Sequence, residues 1–212
     1  MRYLFDLVFI TRELVPSTWP DFERLLSKQG SCWCMWYHRP YSREQEMKKY
    51  RVTKSELPSH NKKRKKELVA QGRSHGIIVY SDSRPVGWCQ YGPKDELPQI
   101  DRGRFYRKLD LKDDGRLWRV TCFFVDKGYR RRGVAPVALQ AALASIRKKG
   151  GGIVEAYPRA SKHGGSVSLW FGTVGMFKRE GFKPVSPLGG SVLMRKAIPS
   201  VGRARSDRAA SR

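Results

Sequence analysis

The sequence predicts an α+β protein in which helices flank a central sheet. Short apolar runs typical of strands alternate with segments whose apolar residues recur every three or four positions, as in amphipathic helices. Two pairs of runs are separated by short turns rich in Ser, Gly or Pro, which indicates antiparallel hairpins. A chain of 212 residues can bury one sizeable core, so we expect a single domain.

The first half of the chain contains predicted strands, a hairpin and a basic helical region. Pro58 interrupts the helical region because proline disrupts a helix interior, and Asn61 is a candidate N-cap for its second piece. The Ser and Asp residues at 81–84 favour a hairpin turn. The predicted strands cover 3–10, 75–80 and 85–91, and the predicted helices cover 16–27 and 42–71.

The second half opens with a charged connection over 92–115, whose length is typical of a binding loop or lid. One predicted helix carries Pro136 in its first turn and ends at the glycines 150–152, and a second helix ends at Gly181. The predicted strands cover 117–125, 153–157, 182–185 and 191–196, the last predicted helix covers 166–180, and a basic, disordered tail is predicted over 199–212.

The junction between the fourth strand and the helix after it is the most informative segment. It reads Arg130-Arg131-Arg132-Gly133-Val134-Ala135. A strand that turns at a glycine into a helix directs several backbone N–H groups at one point, and the helix dipole and the arginines add positive charge there. The junction therefore predicts a cradle for a pyrophosphate.

This junction resembles the acetyl-CoA site of the GNAT superfamily of N-acetyltransferases. Their signature, Gln/Arg-x-x-Gly-x-Gly/Ala, is matched by Arg130, Gly133 and Ala135. About fifty residues later, the segment 176–182 matches the aromatic-x-x-x-Gly-Phe ending of the family's fourth helix. The resemblance covers 76–196 well and the first 75 residues more loosely.

The resemblance implies one domain over 1–198 with a mixed, mostly antiparallel sheet of six to seven strands, splayed between the fourth and fifth strands. It implies acetyl-CoA as co-substrate and no metal. A backbone N–H beside Phe124 and Val125 would meet the thioester oxygen. The implied cofactor-binding residues are Phe123, Phe124, Val125, Arg130, Arg131, Arg132, Gly133, Val134, Ala135, Trp170 and Phe177.

The candidate proton-transfer groups are harder to choose. The strand 117–125 contains no carboxylate, so Asp126 and Glu155, at strand ends, are the candidate bases, with His163 as a further alternative. Asp126 has a structural alternative too, since basic residues follow it directly.

The leaving thiolate poses a separate problem. Many members of the superfamily carry a tyrosine as general acid where this chain has Phe177, which has no proton to donate. Trp170 likewise replaces an asparagine that often contacts the cofactor. Tyr157 and Ser168 are the alternative proton donors.

The chain carries 43 basic and 19 acidic residues, a net charge of +24. Three or four cations meet the needs of coenzyme A, and the remaining excess attracts polyanions. The run Lys62–Lys66 is interpreted as the solvated face of a helix, with nonspecific nucleic-acid contact as the alternative. Cys32, Cys34, Cys89 and Cys122 are not interpreted as a disulfide framework. Cys32 and Cys34 are interpreted as packing residues and not as a metal pair, with a functional thiol as the alternative.

Three functions remain open at this point. The first is acetyl transfer to the primary amine of a small molecule, the second is acetylation of a protein or peptide, and the third is nucleic-acid binding on a GNAT scaffold. A cytoplasmic monomer or homodimer without membrane contact is expected, because no apolar stretch approaches the ~20 residues of a membrane span and the start of the chain lacks the cleavage site of a signal peptide.

Overall fold

A computed structural model describes residues 8–29, 32–111, 115–160 and 170–200. These residues form one seven-stranded sheet in the order β1-β2-β3-β4-β5-β7-β6. All neighbouring strands are antiparallel except β4 and β5, which are parallel. The strands are β1 (Phe9–Glu13), β2 (His75–Ser81), β3 (Arg84–Pro93), β4 (Leu117–Val125), β5 (Gly152–Ala156), β6 (Lys183–Leu188) and β7 (Ser191–Ile198).

Helices cover both faces of the sheet. On one face, α4 buries Ala138, Leu139, Ala142 and Ile146 against β2, β3 and β4, as the spacing of its apolar residues requires. On the other face, an aromatic cluster around Trp88 packs against α1. The helices are α1 (Trp19–Leu26), α2 (Arg43–Tyr50), α3 (Leu57–Ala70), α4 (Val134–Lys148) and α5 (Val174–Arg179).

The predicted splay between the fourth and fifth strands is confirmed. The parallel pairing of β4 with β5 runs from Leu117 opposite Ile153 to Val120 opposite Ala156 and stops there. A bulge follows at once on β4, because Thr121 has no counterpart between the pairs that Val120 and Cys122 make with β3. Among the described strands, the last four residues of β4 therefore pair with β3 alone and leave one backbone edge open.

Several predicted boundaries were wrong. The first strand occupies Phe9–Glu13, whereas the sequence predicted 3–10, and residues 1–7 lie outside the described ranges. Pro58 lies in the first turn of α3, where its missing N–H is harmless, and the helical region breaks instead at Arg51, which has a left-handed φ of 52°. Asn61 is no N-cap: it is buried inside α3 and accepts a hydrogen bond from Arg39.

The last predicted helix is shorter than the sequence indicated. It begins at Val174, where the Thr173 side chain accepts a hydrogen bond from the backbone N–H of Met176. The predicted start at 166 falls in 161–169, outside the described ranges, and so does the tail from 201 onward. None of the helices in the described part of the chain is long and apolar enough to cross a bilayer.

We predict that Gly76→Ala destabilises the protein by about 1–3 kcal/mol, the usual cost of overpacking a core. A Cβ at this position on β2 would lie 1.9 Å from the buried ring of Trp88. Urea unfolding measures the effect. Gly175→Ala is the matched control, because the exposed helical position has room for a methyl group and should gain about 0.5–1 kcal/mol. Equal stability of Gly76→Ala and wild type would contradict the packing.

Candidate functional site

A cleft of about 730 Å³ opens where β4 and β5 diverge. Its walls are the free end of β4, the first turn of α4 and the start of α5. The lining residues are Phe123, Phe124, Val125, Tyr129, Arg130, Arg131, Gly133, Val134, Ala135, Pro136, Trp170, Gly172, Thr173, Met176 and Arg179. This lining is apolar along β4 and cationic at the start of α4, which suits a ligand with one apolar arm and one anionic end.

The backbone at the start of α4 forms the predicted cradle. Gly133 is the N-cap with a left-handed φ of 84°, and Arg131 two residues before it has a φ of 60°. The first N–H groups of a helix have no acceptor within the helix, so those after Gly133 are available to an anion. A Cβ built on Gly133 would meet no atom within 4 Å. The glycine thus leaves open space directly in front of these donors.

Close packing fixes the position of this cradle. Val134, the first residue of α4, lies against Gly87 of β3, where a Cβ would come within 2.2 Å of the valine side chain. The Arg130 Nε–H donates to the backbone oxygen of Val125 at 3.4 Å. These contacts hold the start of α4 beside the open end of β4.

Nine of the eleven predicted cofactor residues line the cleft. The exceptions are Arg132, whose guanidinium lies 5.8 Å from the ring centroid of Tyr129, and Phe177. Phe177 is fully buried between Phe123 and Phe182, below the cleft floor and not on its wall. Sequence reasoning missed six residues that line the cleft: Tyr129, Pro136, Gly172, Thr173, Met176 and Arg179.

Comparison with known proteins decides the family. The model of the acetyltransferase (GNAT) family matches residues 21–171, more than half of the chain. The chain belongs to the GNAT acetyltransferase family. Membership makes the protein an acyltransferase with acetyl-CoA as its co-substrate. A search of curated proteins gave no significant match.

Solved structures of GNAT proteins share the fold at low sequence identity. The PaiA N-acetyltransferase of Thermoplasma acidophilum, solved in complex with coenzyme A, has a TM-score of 0.51 and 14% identity, covering 90% of this chain and 99% of that chain. A GNAT-family acetyltransferase of Desulfovibrio desulfuricans has a TM-score of 0.51 and 12% identity, with the same coverage. An acetyltransferase of Thermus thermophilus has a TM-score of 0.50 and 13% identity, covering 91% and 99%.

Asp126, a candidate base of this GNAT protein, is held by cations. Its carboxylate forms ion pairs with Lys28 and Arg84 and accepts the Gly128 N–H at 3.2 Å. The hydrogen bond from Lys28 lowers the pKa of Asp126 below its ordinary value, against a partial burial that would raise it. A carboxylate with a lowered pKa is a weak proton acceptor, and Asp126 does not line the cleft.

Glu155, the second candidate base, lies in the fully buried middle of a polar network. Its Oε1 accepts two hydrogen bonds from Arg195, at 2.9 and 2.7 Å, and its Oε2 accepts the hydroxyls of Tyr106 at 2.9 Å and Tyr157 at 2.5 Å. The network continues through Arg119, which is also fully buried. Both oxygens of Glu155 are thus engaged within the protein.

Tyr157, the third candidate catalytic residue, donates its hydroxyl to Glu155 and does not line the cleft. Burial, and then the charge of Glu155, raise the pKa of Tyr157 well above its ordinary value, so the hydroxyl keeps its proton. His163 and Ser168 lie outside the described ranges. The roles of the three predicted catalytic residues stay predictions. Among the described residues, no group of three or more His, Cys, Asp or Glu side chains is placed to hold a metal.

The basic run of α3 is only partly a solvated face. Lys63 and Lys66 are exposed, whereas Lys65 is fully buried against the rings of Phe22 and Trp88, at 5.9 and 5.6 Å from their centroids. The expectation of a solvated run was wrong for Lys65, because its position in the helix faces the sheet.

The buried Lys65 side chain has a hydrogen-bonding partner, His38. Its Nζ lies 3.1 Å from Nε2 of His38, whose Nδ1 bonds the backbone oxygen of Glu96 at 2.9 Å. His38 therefore carries its proton on Nδ1 and accepts at Nε2. Burial lowers the pKa of Lys65 to about 8 and that of His38 well below its ordinary value.

We predict that Lys65→Met raises the melting temperature at pH 7. The folded-state pKa of Lys65 lies near 8 and its unfolded value near 10.5, so the unfolded chain binds more protons between these values. Since each pKa unit corresponds to about 1.4 kcal/mol, the buried charge costs on the order of 3 kcal/mol below pH 8.

This cost disappears as the pH rises from 8 toward 10.5, because the amine becomes neutral in both states. The stability difference between Lys65→Met and wild type should therefore shrink at pH 10, as measured by thermal unfolding at both pH values. A variant that is less stable than wild type at pH 7, or a difference that does not change with pH, would contradict this account of Lys65.

Proposed function

We propose that the protein transfers the acetyl group of acetyl-CoA to the primary amine of a small molecule. The observation that carries the proposal is the cleft at the splay, which combines the cradle at Gly133 with an open strand edge at Phe123–Val125. The pyrophosphate would bind the first N–H groups of α4, and the pantetheine arm would follow the free edge of β4. An N–H of this edge would then stabilise the oxyanion of the thioester carbonyl.

The acceptor amine would approach from the opposite sheet face, around Tyr37. Tyr37 packs against a small apolar cluster of Ile100, Tyr157 and Leu193. Burial raises the pKa of Tyr37, the neighbouring thiol of Cys122 raises it further, and the charge of Arg159 opposes the rise. The Arg159 guanidinium lies 5.6 Å from the ring centroid of Phe171. Its backbone forms a bridge with Thr173, which lines the cleft. Arg159 would thus stand between the cleft and the acceptor.

The charges of this region favour an acceptor that carries an anionic group. In the described part of the chain no carboxylate pairs with Arg159, whereas Asp126 and Glu155 are each held by two cations. Among the described residues that line the cleft there is no carboxylate to attract a polycation or to act as base. An α-amine, with an unperturbed pKa of about 8, is partly neutral at physiological pH and needs no strong base. An amine bearing a carboxylate therefore fits best.

Gly133→Val should weaken acetyl-CoA binding more than tenfold, a loss of over about 1.4 kcal/mol. The branched side chain would fill the space in front of the α4 donors and disfavour the left-handed backbone. Isothermal titration calorimetry with acetyl-CoA measures the change. Gly72→Val is the matched control, because Gly72 also has a left-handed φ, 67°, with no atom near its Cβ. Normal binding by Gly133→Val would place the pyrophosphate elsewhere.

Coenzyme A release should be faster with amines that carry a carboxylate than with polycationic amines. Arg159→Ala should raise the KM for the carboxylate-bearing acceptors about 10- to 100-fold, the range of one charge-assisted hydrogen bond, and leave the KM for acetyl-CoA unchanged. Arg147→Ala, an exposed arginine near the far end of α4, serves as the control. Preferred acetylation of polycations or of protein acceptors, or an unchanged acceptor KM in Arg159→Ala, would overturn the proposed acceptor.

A further inference from the structure

Two free thiols lie next to each other on the face of the sheet that α1 covers. Cys34, in the loop after α1, and Cys122, on β4, are 88 positions apart in the chain, and their Sγ atoms lie 3.5 Å apart. Cys34 is buried, whereas Cys122 is partly exposed. The acetyl-transfer chemistry proposed above uses neither thiol.

The surroundings of Cys34 favour its thiolate form. The indole Nε1–H of Trp88 donates to the Cys34 Sγ at 3.2 Å. The hydrogen bond with Cys122 lowers the pKa of Cys34 most, burial opposes it, and the charge of Lys65 and the Trp88 bond lower it further. The thiolate is the nucleophilic form of cysteine, so Cys34 is the more reactive member of the pair and Cys122 its hydrogen-bonded neighbour.

The backbone holds Cys34 in an uncommon conformation. Trp33 and Cys34 both have left-handed φ values, 51° and 53°, which non-glycine residues adopt only when their surroundings enforce it. The Trp33 ring packs into the aromatic cluster, and Gln90 Nε2–H donates to the backbone oxygen of Cys34 at 2.9 Å. These contacts point the thiol at Cys122.

We propose that Cys34 and Cys122 are a redox modification site, which a peroxide converts into a reversible disulfide beside the acetyl-CoA cleft. The Cys34 thiolate attacks one peroxide oxygen, the O–O bond breaks, and the leaving hydroxide takes up a proton to become water. Cys122 then attacks the resulting sulfenic sulfur, the S–S bond forms, and the second oxygen leaves as water. Two thiols thus lose two electrons and two protons, and one peroxide is reduced to two waters.

The disulfide would alter the cleft. An S–S bond of about 2.05 Å requires the two sulfurs to approach by about 1.5 Å. Cys122 directly follows the bulge at Thr121 and directly precedes Phe123 and Phe124, which line the cleft. Formation of the disulfide therefore displaces the part of β4 that acetyl-CoA would contact, and the affinity for acetyl-CoA falls in the oxidised protein. Only this consequence rests on the proposed function; formation of the disulfide does not.

The test uses the full chain, reduced and then treated with hydrogen peroxide. Titration of thiols under denaturing conditions should fall from four to two. Peptide mapping should show the peptides of Cys34 and Cys122 joined and released by dithiothreitol. Cys34→Ser and Cys122→Ser should each abolish the joined peptide, whereas Cys89→Ala, in the core on the other sheet face, should retain it.

Four retained thiols, or a disulfide that joins Cys32 to either partner, would overturn the proposal. Mapping of the wild-type protein decides this even where a serine variant does not fold. Calorimetry with acetyl-CoA, before oxidation, after it and after reduction, tests the consequence. The affinity for acetyl-CoA should fall on oxidation and recover on reduction. A Cys34–Cys122 disulfide with unchanged affinity contradicts the effect on the cleft, while absence of binding already in the reduced protein contradicts the proposed function instead.

Discussion

A row of charged side chains crosses three strands of the sheet just before it splits. Arg119 of β4 stands opposite Glu155 of β5, and Glu155 stands opposite Arg195 of β7. Glu155 is fully buried and so is Arg119, which donates two hydrogen bonds to Asp101, at 2.9 and 2.5 Å. Removing one member of such a buried set leaves an uncompensated charge, which costs about 3–5 kcal/mol. The row therefore fixes the register of β4, β5 and β7 at this level.

The opening of the sheet begins directly after the next pair of residues. Val120 and Ala156 form the last pair of β4 with β5, and the bulge at Thr121 then turns the two strands apart. Beyond β5 the chain stays with β7, since the Val192 N–H donates to the oxygen of Pro158 at 2.9 Å. The sheet is thus continuous up to Val120 and Ala156 and open beyond them. In the open part, the free edge of β4 and the start of α4 supply the hydrogen-bond donors of the cleft. Glu155 serves this architecture and is poorly placed to serve as a base.

Much of the fold and of the cleft was predictable because the signals were local. The glycine turn at Gly133, the helix after it and the hairpins follow from neighbouring residues. The predicted splay agrees with the structure, and nine of the eleven residues predicted to bind the cofactor line the cleft, while their roles stay predictions. Prediction failed where contacts with residues distant in the sequence determine whether a side chain is buried. The burial of Lys65 depends on the rings of Phe22 and Trp88, and the placement of Phe177 in the core depends on Phe123. The lining residues of α5 recur at 173, 176 and 179, a helical spacing that was visible in the sequence but not used.

A crystal structure of the protein with coenzyme A tests the central claim most directly. The account predicts the pyrophosphate within hydrogen-bond distance of the first N–H groups of α4, in front of Gly133, and the pantetheine arm along the open edge of β4. The row from Arg119 to Arg195 should stay closed in the complex. Coenzyme A bound away from the splay, or a sheet in which β4 and β5 remain paired beyond Val120 when the ligand is present, would contradict it.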